Sequence, residues 1–172
     1  MNSQAYFATG CFWGAEANLL KIDGVVETSV GYMGGLLPHP TYEQVCTGES
    51  AHAETVKLLF DTSIVTFQTL LETFWTMHDP TSFDVQGGDI GSQYRSVIFA
   101  STDEQFEIAH DSKQIYQRAL TDAGLDEICT RILKAKDFEF YLAEEYHQKY
   151  ILKNPNGYVC HSSTGVLFPK EF

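Results

Sequence analysis

Along the first hundred positions the apolar residues switch repeatedly between strand-like and helix-like spacing, and the order of those switches constrains the fold more than any other feature. Gln4 to Thr9 reads as a short strand of aromatic and small residues, and Phe12 to Leu20 as a helix closed by the Asp23-Gly24 turn. Val25 to Tyr32 is β-rich and runs out at Gly31, Gly34 and Gly35; a polar loop holding Pro38 and Pro40 then extends to about Ala53. Thr55 to Phe60 alternates as a strand does. Phe67, Leu70, Leu71, Phe74 and Trp75 recur at helical spacing over Phe67 to Met77. A second long loop, Pro80 to Gln93, leads into a further strand, Tyr94 to Ala100. The order is βαββαβ, in which each helix crosses between strands separated by a third.

The rest of the chain adds to that unit. Ser101-Thr102-Asp103-Glu104-Gln105 is a capping box that opens a helix to about Thr121, and Asp122-Ala123-Gly124 ends it. Ile128 to Leu133 reads as a last strand, and Ala143 to Leu152 as a last helix stopped by Asn154-Pro155. From about residue 154 the pattern becomes a coil-rich tail. The expected fold is α+β, a two-layer sandwich with a ferredoxin-like βαββαβ core. Helices should cover one face of a mixed or antiparallel sheet, with the long loops gathered at one end. A chain of 172 residues suits one domain spanning residues 1–172, large enough for a core without disulfide staples.

Eleven basic against 23 acidic side chains leave a net charge of −12, which argues against nucleic acid and anionic membrane surfaces as partners. No stretch approaches the roughly 20 apolar residues of a membrane span. Met1-Asn2-Ser3-Gln4 lacks the basic and apolar regions of a secretory signal, so a cytoplasmic location is the expectation; a monomer is expected as well. The six histidines show no metal-binding spacing, and no metal is expected. Four cysteines, Cys11, Cys46, Cys129 and Cys160, lie far apart with no C-x-x-C pair, which favours reactive or packing thiols over a staple framework.

Cys11 stands out among them. It lies in Gly10-Cys11-Phe12-Trp13-Gly14, where a strand hands over to a helix. The unpaired N–H groups and dipole of a helix start favour the thiolate, so partial ionisation is expected there. Phe12 and Trp13 add an apolar wall. Cys46 and Cys129 read as packing thiols. Cys160 sits in an exposed stretch, Asn154 to Ser163, and two readings stay open from the tail alone: a resolving thiol or an incidental surface thiol. Glu54, after His52-Ala53, is either solvated or, beside an aromatic pocket, desolvated and protonated near neutrality, as a general acid must be. Tyr42 and Tyr94 flank loops and can offer phenolic O–H groups. Asp89 lies in a glycine-rich loop, Gly87 to Gly91, that lacks the spacing and lysine of a phosphate-binding loop.

Taken in order, these segments resemble the A-type peptide methionine sulfoxide reductases. The resemblance rests on Gly10 to Gly14, Gly31-Tyr32 with Gly34-Gly35, Pro40 to Gly48, and His52-Ala53-Glu54. It continues through His78 to Thr81, Gly88-Asp89 with Gly91, Gln93 to Ser96, Tyr146-His147-Gln148 and Asn154-Pro155. It implies reduction of methionine-S-sulfoxide, free or in proteins, without an organic cofactor. Carried over by motif, Cys11 is the nucleophile, and Glu54, Tyr42 and Tyr94 surround the sulfoxide oxygen with Asp89 in support. Phe12 and Trp13 hold the ε-methyl group. Cys160 then closes a disulfide with Cys11, and thioredoxin reduces it. Val159 separates Tyr158 from Cys160, where many members place the cysteine directly after the tyrosine. The competing readings are a thiol peroxidase, which needs neither a methyl pocket nor Glu54, and a module that binds methionine-bearing peptides without chemistry.

Overall fold

The computed structural model describes residues 1–158 and 162–170. The βαββαβ series is present as β1 (Asn2–Thr9), α1 (Phe12–Leu20), β2 (Val25–Met33), β3 (Ala53–Asp61), α3 (Phe67–Thr76) and β6 (Ser96–Ala100). A short helix α2 (Tyr42–Cys46) and a small hairpin of β4 (Val85–Gln86) and β5 (Asp89–Ile90) occupy its two long loops. After it come α4 (Asp103–Asp122), β7 (Arg131–Lys134), β8 (Tyr141–Leu142) and α5 (Tyr150–Lys153).

The strands form a six-stranded sheet in the order β7-β6-β1-β3-β2-β8. β3 lies antiparallel between β1 and β2, and β1 antiparallel between β3 and β6. Two split βαβ units are therefore interleaved, as the sequence order requires. Only β7 joins in parallel, against β6. The predicted mainly antiparallel α+β architecture is the observed one.

Helical spacing explains which residues reach the core. Leu19 of α1, Leu70, Leu71 and Phe74 of α3, and Ala109, Tyr116 and Leu120 of α4 are all buried on one face of the sheet. Threonine side chains cap two of these helices: Thr66 accepts from the Thr69 N–H and Thr102 from the Gln105 N–H. Each cap is worth about 1 kcal/mol. The opposite face is smaller. Ala8, Met33, Ala53, Val97 and Phe99 are covered there by Tyr6, Phe138 and Phe140, with the Phe138 ring edge-on to Phe99.

The structure departs from the sequence expectations in four segments. The loop before Ala53 contains α2, opened by a capping box between Thr41 and Gln44. The loop before Tyr94 contains the β4–β5 hairpin, and Tyr94 itself ends a 3-10 turn, Ser92–Tyr94, instead of starting a strand. The strand expected over Ile128 to Leu133 begins at Arg131 and is not the last, because β8 follows it and pairs with β2. The helix expected over Ala143 to Leu152 is broken into a 3-10 turn, Glu145–His147, and the four-residue α5. Lys149 between them is left-handed, with φ 54°. Tertiary bonds override the local spacing at that point. The Gln148 amide pairs with both backbone groups of Val30, and the Lys149 N–H donates to Glu16 at 2.7 Å.

Candidate active site

Gly10 makes the turn from β1 into α1 at φ +104°, a left-handed conformation that favours glycine. Cys11 follows as the N-cap of α1 and is partly exposed. The backbone N–H groups of Trp13 and Gly14 pull its thiol pKa down, as a helix start should. Burial, the largest cause, outweighs them and pushes the thiol up to about 12. The expectation of a partly ionised thiol is corrected: at rest Cys11 is a thiol, because desolvation acts on the whole charge and the N–H groups offset only part of it.

Beside Cys11 is Glu54. It lies on β3 opposite Tyr32 of β2 and is 1% exposed. Its Oε1 accepts from the Phe12 N–H at 3.2 Å, and its Oε2 is buried with no hydrogen-bond partner among the described residues. Burial, the largest cause, pushes its carboxyl up to about 8, with a further push from Asp89 and an opposing pull from the Phe12 N–H. Of the two readings open from sequence, the desolvated and protonated one is the structure's. A neutral carboxyl therefore sits one peptide group from the thiol.

Around this pair stand the phenols. Tyr42 opens α2, its backbone N–H donating to Glu144 Oε2 at 2.9 Å. Its hydroxyl is raised by burial first, and also by pairing with Cys46 one turn on. Tyr94 is raised by burial first, and also by Asp89. Both phenols are thus protonated donors. Asp89, on β5, accepts from the Tyr158 hydroxyl at 3.0 Å through Oδ1, while Oδ2 is buried without a partner among the described residues.

The aromatic pair divides its labour. Phe12 is buried in the core, its ring 5.8 Å from Tyr32 and 5.2 Å from His147. Trp13 is half-buried, stacked on Tyr150 at 3.8 Å and 11°, and its Nε1–H donates to His147 Nδ1 at 2.9 Å. Cys46 and Cys129, expected as packing thiols, are both exposed, because α2 ends at the surface and Cys129 lies in an open loop donating to Thr81 O. Cys160 lies outside the described residues. On either side of it the tail lies at the site: the Tyr158 hydroxyl donates to Asp89, and Ser162 lines a small cleft that Cys11 and Gln86 also line. Among the described residues, no group of three or more His, Cys, Asp or Glu could hold a metal ion, and no helix is long and apolar enough to cross a membrane.

Spacing alone missed Glu16, His147, Gln148 and Lys149. The Glu16 carboxylate, 1% exposed, accepts from the Lys149 ammonium at 3.1 Å and the Thr28 hydroxyl at 2.7 Å, besides the Lys149 N–H. The Lys149 ammonium also donates to Thr28 O. The Tyr146-His147-Gln148 motif was the available signal, but it carries no role until the fold brings it beside α1 and β2.

A thiol, a neutral carboxyl and two phenols are the groups needed to take an oxygen atom from a polarised centre, which defines a thiol-based oxidoreductase. The family model described as peptide methionine sulfoxide reductase matches residues 3–169. The peptide methionine sulfoxide reductase MsrA of Methylococcus capsulatus is 50% identical, over 97% of this chain and 74% of that protein. Methionine sulfoxide reductase A of Corynebacterium diphtheriae superimposes with a TM-score of 0.89 at 41% identity, covering 98% of this chain and 84% of that one. Mxr1 from Saccharomyces cerevisiae in reduced form gives 0.85 at 36% identity, covering 94% and 92%. The same yeast protein in complex with Trx2 gives 0.60 at 23% identity over 94% and 89%, a likeness of fold alone. The chain belongs to the peptide methionine sulfoxide reductase family, a family of oxidoreductases.

Proposed function

We propose that the protein reduces methionine sulfoxide, free or in proteins and as the S epimer, and that thioredoxin recycles it. The observation that carries the reading is Glu54: a buried carboxyl with one oxygen tied to the Phe12 N–H and the other without a partner among the described residues, beside Cys11 at the start of α1. A sulfoxide sulfur is electrophilic only when its oxygen is protonated or strongly hydrogen-bonded, and hydroxide is a poor leaving group. Glu54 gives its proton to that oxygen with Tyr42 and Tyr94 donating to it, while Cys11 sulfur bonds to the sulfoxide sulfur. The thiol proton returns to Glu54. Collapse of the adduct releases methionine and leaves the oxygen on Cys11 as a sulfenic acid, so thiol and sulfoxide become sulfenic acid and thioether. Phe12 backs and Trp13 forms the wall against the ε-methyl group, and Asp89 supports the oxygen site.

The Cys160 thiol then attacks the sulfenic acid, expelling water and forming a Cys11–Cys160 disulfide, which a thioredoxin dithiol reduces by exchange. The bond from Tyr158 to Asp89 and the place of Ser162 support this step, since two residues of chain reach at most about 7 Å and Ser162 shares the Cys11 cleft. Mxr1, 36% identical to this chain in its reduced form, is solved in complex with Trx2, which supports the choice of reductant. The protein acts as a single domain over residues 1–172, a cytoplasmic monomer without metal or organic cofactor.

The test is a single-turnover assay with separated R and S sulfoxides, followed by intact mass and disulfide mapping. Methionine is expected from the S epimer only, with a Cys11–Cys160 bridge; Cys160→Ser should still give one turnover and stop at an oxidised Cys11. A bridge to Cys46 or Cys129 would refute the tail assignment, and peroxide turnover without sulfoxide turnover would refute the substrate.

A further inference from the structure

We propose that His147 is a positioning residue that sets the specificity of the sulfoxide site, by accepting the Trp13 indole N–H on Nδ1 and so fixing the rotation of the indole. The proposal rests on the functional reading above, in which Trp13 is the methyl wall.

His147 is fully buried at the end of the Glu145–His147 turn, 134 positions from Trp13. Its ring meets three groups assigned to substrate: Phe12 at 5.2 Å, Trp13 at 5.7 Å and Tyr42 at 4.5 Å between centroids. Because Nδ1 accepts from the indole at 2.9 Å, the proton of the neutral ring belongs on Nε2, which is buried with no partner among the described residues. The bond to Trp13 is thus the ring's one directional tie.

That tie supplies what stacking cannot. The Tyr150 ring lies parallel to Trp13 at 3.8 Å and prevents the indole from tilting. A parallel stack offers little resistance to sliding or turning within its own plane. Only a hydrogen bond to the indole edge sets which edge faces the pocket. Both restraints come from residues 147–150, and that segment is itself fastened to the start of the chain through Glu16 and to β2 through Gln148. A wall that separates a methyl from an ethyl group must be held to a fraction of an ångström, since one methylene in an apolar pocket is worth about 10–200-fold.

The experiment compares kcat and KM on the S epimers of methionine sulfoxide and ethionine sulfoxide, with dithiothreitol as reductant. His147→Phe keeps the ring and removes the acceptor; His147→Asn keeps an acceptor near the Nδ1 position and removes the ring. For His147→Phe, kcat/KM on the methyl substrate should fall about tenfold and the methyl-over-ethyl preference about fivefold, as expected when a buried donor loses its partner. His147→Asn should retain the parental preference within about twofold. On a Trp13→Phe background, which has no indole N–H, adding His147→Phe should change the preference by less than about twofold. The Trp13 indole proton in NMR, assigned by its loss in Trp13→Phe, should move in His147→Phe and stay in place in His147→Asn. An unchanged preference in folded His147→Phe, or an equal loss on the Trp13→Phe background, overturns the proposal. If the parent turns over neither sulfoxide, the functional reading fails instead, and the indole resonance alone decides whether His147 holds Trp13.

Discussion

Replacing Glu54 by glutamine removes one ionisation while the amide oxygen can still accept from the Phe12 N–H that Oε1 now holds at 3.2 Å. The folded carboxyl titrates at about 8 against an ordinary value of 4.5, and the cause is burial. Between those values the folded chain holds a proton that the unfolded chain has lost, so stability falls as pH rises through the window and the full cost is present above about 8. Linkage puts that cost at about 2 kcal/mol near pH 6 and about 5 kcal/mol near pH 9. The difference of about 3 kcal/mol corresponds to roughly 8 °C in melting temperature for a chain of this size. The assay is thermal unfolding of parent and Glu54→Gln across that range. The variant should gain about 8 °C on the parent between pH 6 and pH 9, although the two share every other titrating side chain. The first-turnover rate should show the same group. It should decline above about pH 8 in the parent, and in the variant be on the order of 100-fold lower without that break. A melting-temperature gap that stays constant with pH would refute the assignment of Glu54 as a buried, proton-holding acid.

Lys149→Met should lower stability by about 3 kcal/mol in denaturant unfolding, because it leaves the buried Glu16 carboxylate without its cation. Ser112→Ala strands the Trp75 indole N–H, now donating at 2.8 Å, and should cost about 1–3 kcal/mol with turnover unchanged. Gly10→Ala forces a side chain into a left-handed turn with its Cβ 2.9 Å from Gln86 carbons, and should cost both stability and first-turnover rate by moving Cys11. His78 is buried and held down at about 4, bonded to Phe74 O and Ser96 Oγ. Below 6.5 the unfolded chain gains a proton the folded chain refuses, so stability should drop by about 3 kcal/mol between pH 6.5 and 4, and His78→Gln should flatten that slope in unfolding titrations.

The amino-acid sequence by itself determined the βαββαβ order, the start of α1 at Cys11 and the capped start of α4 at Thr102, because apolar period and capping are properties of neighbouring residues. It also carried a cap at Thr41-Gln44 for α2, which five residues are too few to announce by periodicity. The same reasoning failed at Ala143 to Leu152. Helical spacing there is real, but Gln148 and Lys149 gain more from Val30 and Glu16, more than a hundred positions away, than from another turn of helix. The protonation of the site was likewise out of local reach. Whether Glu54 is a proton donor, and whether Cys11 rests as a thiol, depends on how much chain excludes water from each. Trp13 could be read as an apolar wall from its position alone, but its orientation waits on His147, brought from 134 residues away. Desolvation and long-range hydrogen bonds are sums over the packed fold, and only the tertiary structure performs them.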